Sequence, residues 1–157
     1  MKINILSKMK CFLLLLICLQ FASCSKEDLP AYEDALITKV GAYHRFITGD
    51  KDAMTGEFIS AQKELTGEYS IDEENGVAAA TFTIPAAGGK FSEEERAKVS
   101  LNNLVVYINV STAARVTPIE GAPKLGTPAD WTSPHKYKVM AANGAEKIWT
   151  VKAALSK

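Results

Sequence analysis

Cysteine is scarce in this chain: there are three, Cys11, Cys18 and Cys24, and none beyond residue 24. That excludes a disulfide or a thiol nucleophile in everything that follows. Histidine is scarcer still, His44 and His135 only. They do not form a metal-spaced pair, and a metal centre needs further converging ligands, so both are expected on the surface or at strand edges and no metal site is expected. Charge of one sign is also missing, with 18 basic and 18 acidic residues. Without a basic stripe the chain lacks the electrostatic footprint of a nucleic-acid binder. No G-x-S-x-G elbow occurs, and "GGKFS" at 88–92 lacks the spacing of a phosphate loop. The acidic clusters Asp50, Asp52 and Glu57, and Asp72-Glu73-Glu74-Asn75, fit no EF-hand and read as solvated turns. No repeat, no low-complexity tract and no second long apolar run is present. These absences predict a non-enzyme without a cofactor.

What is present begins at the N-terminus. Lys2, Lys8 and Lys10 precede an apolar run from Phe12 to Phe21 broken only by Cys18 and Gln20, and then come the small residues Ala22 and Ser23. That order is a secretory signal peptide over residues 1–23, too short to span a membrane as a helix, which takes roughly 20 apolar residues. "FASC" resembles a bacterial lipobox, with Phe21 in place of the usual Leu, which implies lipidation of Cys24 and a membrane anchor. Stable anchoring takes more than one acyl chain, and lipoproteins of this kind carry several. Lys26-Glu27-Asp28 resembles the export signal that sends lipoproteins of Gram-negative glycan foragers to the outer face of the outer membrane. Residues 24–33 then form the tether. Removal of 1–23 leaves 15 basic and 18 acidic residues, a net charge of −3.

Residues 34–157 read as one domain of ordinary size, large enough to bury a core without staples. "ALITKVGAYHRF" (35–46) has strand composition, with Gly41 marking a bulge, and 47–57 is a polar turn region. In 67–85, Tyr69 and Ile71 alternate with polar neighbours. Asn75-Gly76 supplies a turn in which both residues can take positive φ, and Ala78, Ala80, Phe82 and Ile84 share a face of the return strand. Ser92 and Glu95 have capping-box spacing, which predicts a short helical turn at 93–98. In "LVVYINVS" (104–111), Leu104, Val106, Ile108 and Val110 share one face, while Val105, Tyr107 and Asn109 share the other. A proline- and glycine-rich crossing follows. It leads to a hairpin in which Tyr137, Val139 and Ala141 alternate, Asn143-Gly144 turns, and Trp149, Val151 and Ala153 face the core. Short alternating strands separated by turn signals predict an all-β chain, a β-sandwich.

Pro118 with Gly121, Asp130-Trp131-Thr132 with Pro134, Tyr137 to Gly144, and Trp149 resemble the C-terminal half of small immunoglobulin-like domains in surface lipoproteins of gut glycan foragers. The likeness covers about half of the domain. It implies an immunoglobulin-like β-sandwich and an outer-membrane setting facing the exterior, not a catalytic set. The expected role is a non-catalytic accessory or binding module for glycans, or else a protein-interaction subunit of a larger cell-surface complex. The expected ligand site is in the crossing: Trp131 with Asp130, Thr132 and His135. There the indole either plugs the end of the sandwich or stands exposed to stack on a sugar. Tyr43 and Tyr107 are further candidates for an outer sheet face.

Overall fold

The computed structural model describes residues 32–156, which belong to one compact unit, Tyr32–Lys157. Cys24 and the Lys26, Glu27 and Asp28 stretch lie outside the described residues.

Eight strands follow in order: β1 Ile37–Lys51, β2 Phe58–Asp72, β3 Val77–Thr83, β4 Leu104–Val110, β5 Arg115–Ile119, β6 Pro128–Ala129, β7 His135–Met140 and β8 Glu146–Ser156. One short helix, α1 Glu93–Lys98, stands between β3 and β4, with a 3-10 turn at Leu101–Asn103 after it. The strand order is β5-β7-β8-β3-β2-β1-β4-β6. The single run becomes two layers because β2 serves both. Its first part pairs antiparallel with β1, Ala61 opposite Phe46 through Leu65 opposite Ala42. Its second part pairs with β3, Thr66 opposite Thr83 through Asp72 opposite Val77. Gly67 sits just past this switch, where a Cβ would come 2.3 Å from the carbonyl oxygen of Thr81. Only glycine admits so close a backbone approach. The result is the expected immunoglobulin-like β-sandwich with one small helix.

The core is built from the inward faces of both layers. Ala42, Leu65 and Val106 meet Ala78, Ala80 and Phe82, with Tyr137, Val139, Trp149 and Val151 alongside. The faces expected for β3, β7 and β8 are the buried ones. Trp149 is fully buried, and its indole N–H donates to the Ala35 carbonyl at 2.9 Å. That bond satisfies the polar edge of a fully buried ring.

Several local expectations need correction. The segment 47–57 is not all turn: β1 runs on to Lys51, the turn is Asp52 to Glu57, and β2 begins at Phe58. This arm is exposed on most of its surface, so it shows no apolar period in the sequence. Gly41 is not a bulge: the register of β1 shifts at Ile37/Lys39 and at Ile47/Lys51. In both Asn-Gly turns only the glycine takes positive φ, Gly76 at 63° and Gly144 at 89°. Ser92 does cap α1, accepting from the Glu95 N–H at 3.2 Å. The Glu95 carboxylate turns instead to Lys98 and toward His44.

His44 itself is buried, 3% exposed, and not an edge residue. It lies on the inward side of β1 with Phe46, stacked on that ring and edge-on to Phe91. Its Nε2 stands 3.7 Å from Glu95 Oε2. The Lys98 ammonium, bonded to Glu95, lowers that carboxyl below its ordinary range, with His44 adding to the effect.

Candidate functional site

The crossing brings together the four residues expected there, but not as a sugar platform. Trp131 is 1% exposed. Its ring stacks on Tyr137 at 6.3 Å and meets His135 edge-on at 4.9 Å. The plug is thus the outcome, and a buried indole has no face to offer a ligand. The polar neighbours satisfy one another. Asp130 Oδ1 accepts from the Thr132 N–H at 2.8 Å and from its hydroxyl at 2.6 Å. These bonds, the hydroxyl's first, hold the Asp130 carboxyl below its ordinary range. His135 Nε2 donates to the Asp130 carbonyl at 2.7 Å. The turn braces the end of the sandwich.

An aromatic face is found on the outside of the β2-β1-β4 layer. Cross-strand pairs put side chains on a common side, and Tyr43 is opposite Glu64 on β2 and Val105 on β4. One row away, Gly41 is opposite Tyr107. A Cβ on Gly41 would fall 2.2 Å from Tyr107 Cζ and 2.3 Å from its hydroxyl oxygen. The phenol therefore lies flat across the backbone of β1, in the space that any other residue would fill. From that seat its hydroxyl donates to Glu64 Oε1 at 2.9 Å. Partial burial, and then the Glu64 carboxylate, raise the Tyr107 phenol above its usual value, so it remains a neutral donor at physiological pH.

Beside it the Tyr43 ring stands with centroids 6.4 Å apart and planes tilted by 33°. The two rings make a shallow, nearly continuous floor. Arg45 donates to the Tyr43 hydroxyl at 3.2 Å, and its guanidinium lies 5.6 Å from the ring centroid. Lys39 holds its ammonium 5.8 Å from the Tyr107 centroid. Two adjoining depressions share Tyr107 and Glu64. One of about 530 Å³ is lined with Tyr43 and Gln62. The other, of about 360 Å³, extends to Lys39, Thr66 and the half-exposed Tyr69. Volumes of this order suit small ligands.

A larger depression, about 750 Å³, lies beside α1 over Ile84, Val99, Leu101 and Leu155. It offers no aromatic floor, and the Arg96 Nε that could serve it is bonded to the Pro85 carbonyl at 3.0 Å. Among the described residues no group of three His, Cys, Asp or Glu side chains is placed to hold a metal.

The sequence singled out Tyr43 and Tyr107 for an outer face but missed their relation to Gly41 and Glu64. The signal was a glycine inside a strand pattern, which marks close approach as readily as a bulge.

The profile of the DUF5018-related proteins matches residues 37–152. A crystallised candidate secreted protein from Bacteroides fragilis is 73% identical, covering 82% of this chain and 100% of its own, with a TM-score of 0.76. The chain belongs to the DUF5018-related family. The whole of that 73% identical relative corresponds to the greater part of this DUF5018-related chain, and in the relative that length folds and crystallises on its own. A crystallised candidate glycoside hydrolase from Bacteroides thetaiotaomicron is 17% identical across 85% of this chain and 28% of its own. Its TM-score of 0.41 is too low to carry any argument about this one. No curated protein matches this DUF5018-related chain.

Proposed function

We propose that this protein is a non-catalytic glycan-binding module, held on the outer membrane by lipid on Cys24 and displayed outward through the Lys26-Glu27-Asp28 signal. The observation that supports the binding role is the two-ring floor of Tyr43 and Tyr107 with Glu64 fixed at its edge. Sugars present flat C–H faces that stack on such rings and hydroxyls that bond to flanking acceptors and donors. Glu64 supplies the acceptor; Gln62, Arg45 and Lys39 supply donors. The floor is open and shallow, so affinity is weak, on the order of millimolar to micromolar, or about −4 to −8 kcal/mol.

The test is a glycan array followed by calorimetry on the chain from residue 25 onward. Tyr43→Ala and Tyr107→Ala abolish the signal without loss of fold, whereas Trp131→Ala lowers the melting temperature. If neither tyrosine matters for a glycan that binds, the site lies elsewhere. Anchoring is tested separately. Cys24→Ala leaves the protein out of the membrane fraction or uncleaved. Alanine at Lys26, Glu27 and Asp28 reduces protease access on intact cells.

A second reading, docking on a protein partner of a surface complex, draws on the arm, where Ile47, Met54 and Phe58 are exposed. Exposed apolar groups of that kind mark interaction surfaces. Chemical crosslinking on intact cells that captures one partner, lost on Met54→Asp and Phe58→Asp, favours it.

A further inference from the structure

The Tyr43–Tyr107 floor is one end of a longer strip. The outer face of β1 and β2 continues along the arm through Arg45 opposite Gln62 and Ile47 opposite Ser60 to Lys51 opposite Phe58. At a strand rise of roughly 3.3 Å per residue, the stretch from Glu64 to Phe58 alone covers on the order of 20 Å. Along this face three aromatic rings each carry a cation. Lys39 lies over Tyr107 at 5.8 Å, Arg45 over Tyr43 at 5.6 Å, and Lys51 over Phe58 at 5.0 Å. All three cations come from β1. Glu64, beside the two tyrosines, already accepts from Tyr107, and Asp52, beside Lys51, accepts from the Met54 and Thr55 N–H groups and the Thr55 hydroxyl. Asp50 is occupied by Lys90 at 2.6 Å. The whole chain has no net charge, so this run of cations is local and not the by-product of a basic protein.

A neutral sugar that stacks on these rings displaces the cation from each and offers it only uncharged hydroxyl acceptors. A sugar bearing a carboxylate meets both: the pyranose face takes the ring and the carboxylate takes the displaced ammonium or guanidinium. A cation over an exposed ring is held only weakly. A charge-assisted bond to carboxylate is roughly twice as strong as a neutral one. The exchange therefore favours the acidic sugar, repeatedly along an extended chain. Building on the glycan-binding reading, we infer that the β1-β2 face binds linear polysaccharides rich in uronic acids, laid along the arm.

Titration calorimetry with polygalacturonate and hyaluronate, each against its carboxyl-reduced form, tests the inference on the chain from residue 25 onward. The acidic polymers bind, carboxyl reduction weakens binding at least tenfold, and raising the salt from low to high weakens it further. Combined Lys39→Gln, Arg45→Gln and Lys51→Gln removes the preference for the acidic polymer while the domain stays folded, its melting temperature lowered by only a few degrees. Tyr43→Ala with Tyr107→Ala removes binding of both forms. Equal binding of the acidic and reduced polymers, unaffected by the three glutamines, overturns the charge inference and leaves the glycan reading standing. Failure of every polysaccharide here and on the array sinks both. Single-stranded oligothymidylate uses the same stacking and charge; if it binds more tightly than polygalacturonate, the uronate assignment is wrong.

Discussion

Replacing Gly41 by alanine isolates the contact on which the aromatic floor rests. The new methyl would overlap the Tyr107 phenol at 2.2 Å, so one of them must move. The phenol is the free end of a side chain and swings out. It gives up its bond to Glu64, worth about 1.5 kcal/mol at the lower end for a charged partner, and some apolar contact, at roughly 25 cal/mol per Å². Against this, alanine in a strand is favoured over glycine by about 0.5–1 kcal/mol. The net loss is about 1–2 kcal/mol, or roughly 3–8 °C in Tm for a domain of this size. In a Tyr107→Ala background the methyl meets nothing, and Gly41→Ala becomes neutral or stabilising. A double-mutant cycle read by urea denaturation gives a coupling of about 2 kcal/mol, inside the usual range for residues in contact. Additivity of the two substitutions would refute the reasoning, because the glycine would then serve something other than the ring. Gly67→Ala is the control: its obstacle is the Thr81 backbone carbonyl at 2.3 Å, which cannot swing away, and the cost rises to about 3 kcal/mol.

Trp149→Ala costs roughly 3–5 kcal/mol, measured by denaturant melts, since it empties the core and orphans the Ala35 carbonyl. Gly144→Val destabilises the last hairpin, because a β-branched residue resists the positive φ that Gly144 adopts; an unchanged Tm contradicts the assigned turn. Burial pushes the Tyr137 phenol from 10.0 up to about 12. The folded state thus holds this proton more tightly than the unfolded state. The stability linked to it is complete below pH 10 and is lost as pH rises through 10 to about 12. Tyr137→Phe loses about 1 kcal/mol at neutral pH, from the bond to the Pro123 carbonyl, and shows a shallower alkaline decline than wild type.

The sandwich was legible wherever one strand face is apolar and the other polar. β3, β7 and β8 announce themselves by alternation, and the capping residue Ser92 places α1. The arm was not legible, because strands exposed on most of their surface carry no period. The short strands β5 and β6 hid inside a proline- and glycine-rich crossing. The floor was half legible: the tyrosines stood on the polar face, but the seat under Tyr107 is a relation between strands far apart in sequence. His44 was misread because the inward face of β1 accepts a polar ring once Phe46, Phe91 and Glu95 close over it. Trp131 shows the reverse limit. Its polar neighbours advertised a binding loop, and they turned out to bond to one another.

The final strand, β8, lies in the interior of its layer, antiparallel to β7 and parallel to β3. Trp149 from this strand reaches back to Ala35 across almost the full length of the domain. Such pairings pay loop-closure entropy before they return any contact energy, and they slow folding. The core cannot be completed before β8 is available, because the strand that joins β3 to β7 is the last of the described strands in chain order. Any truncation before residue 146 leaves two open sheet edges where β8 belongs. Closure of the domain therefore waits on β8, and the strands that precede it stay without a complete core until that strand is in place.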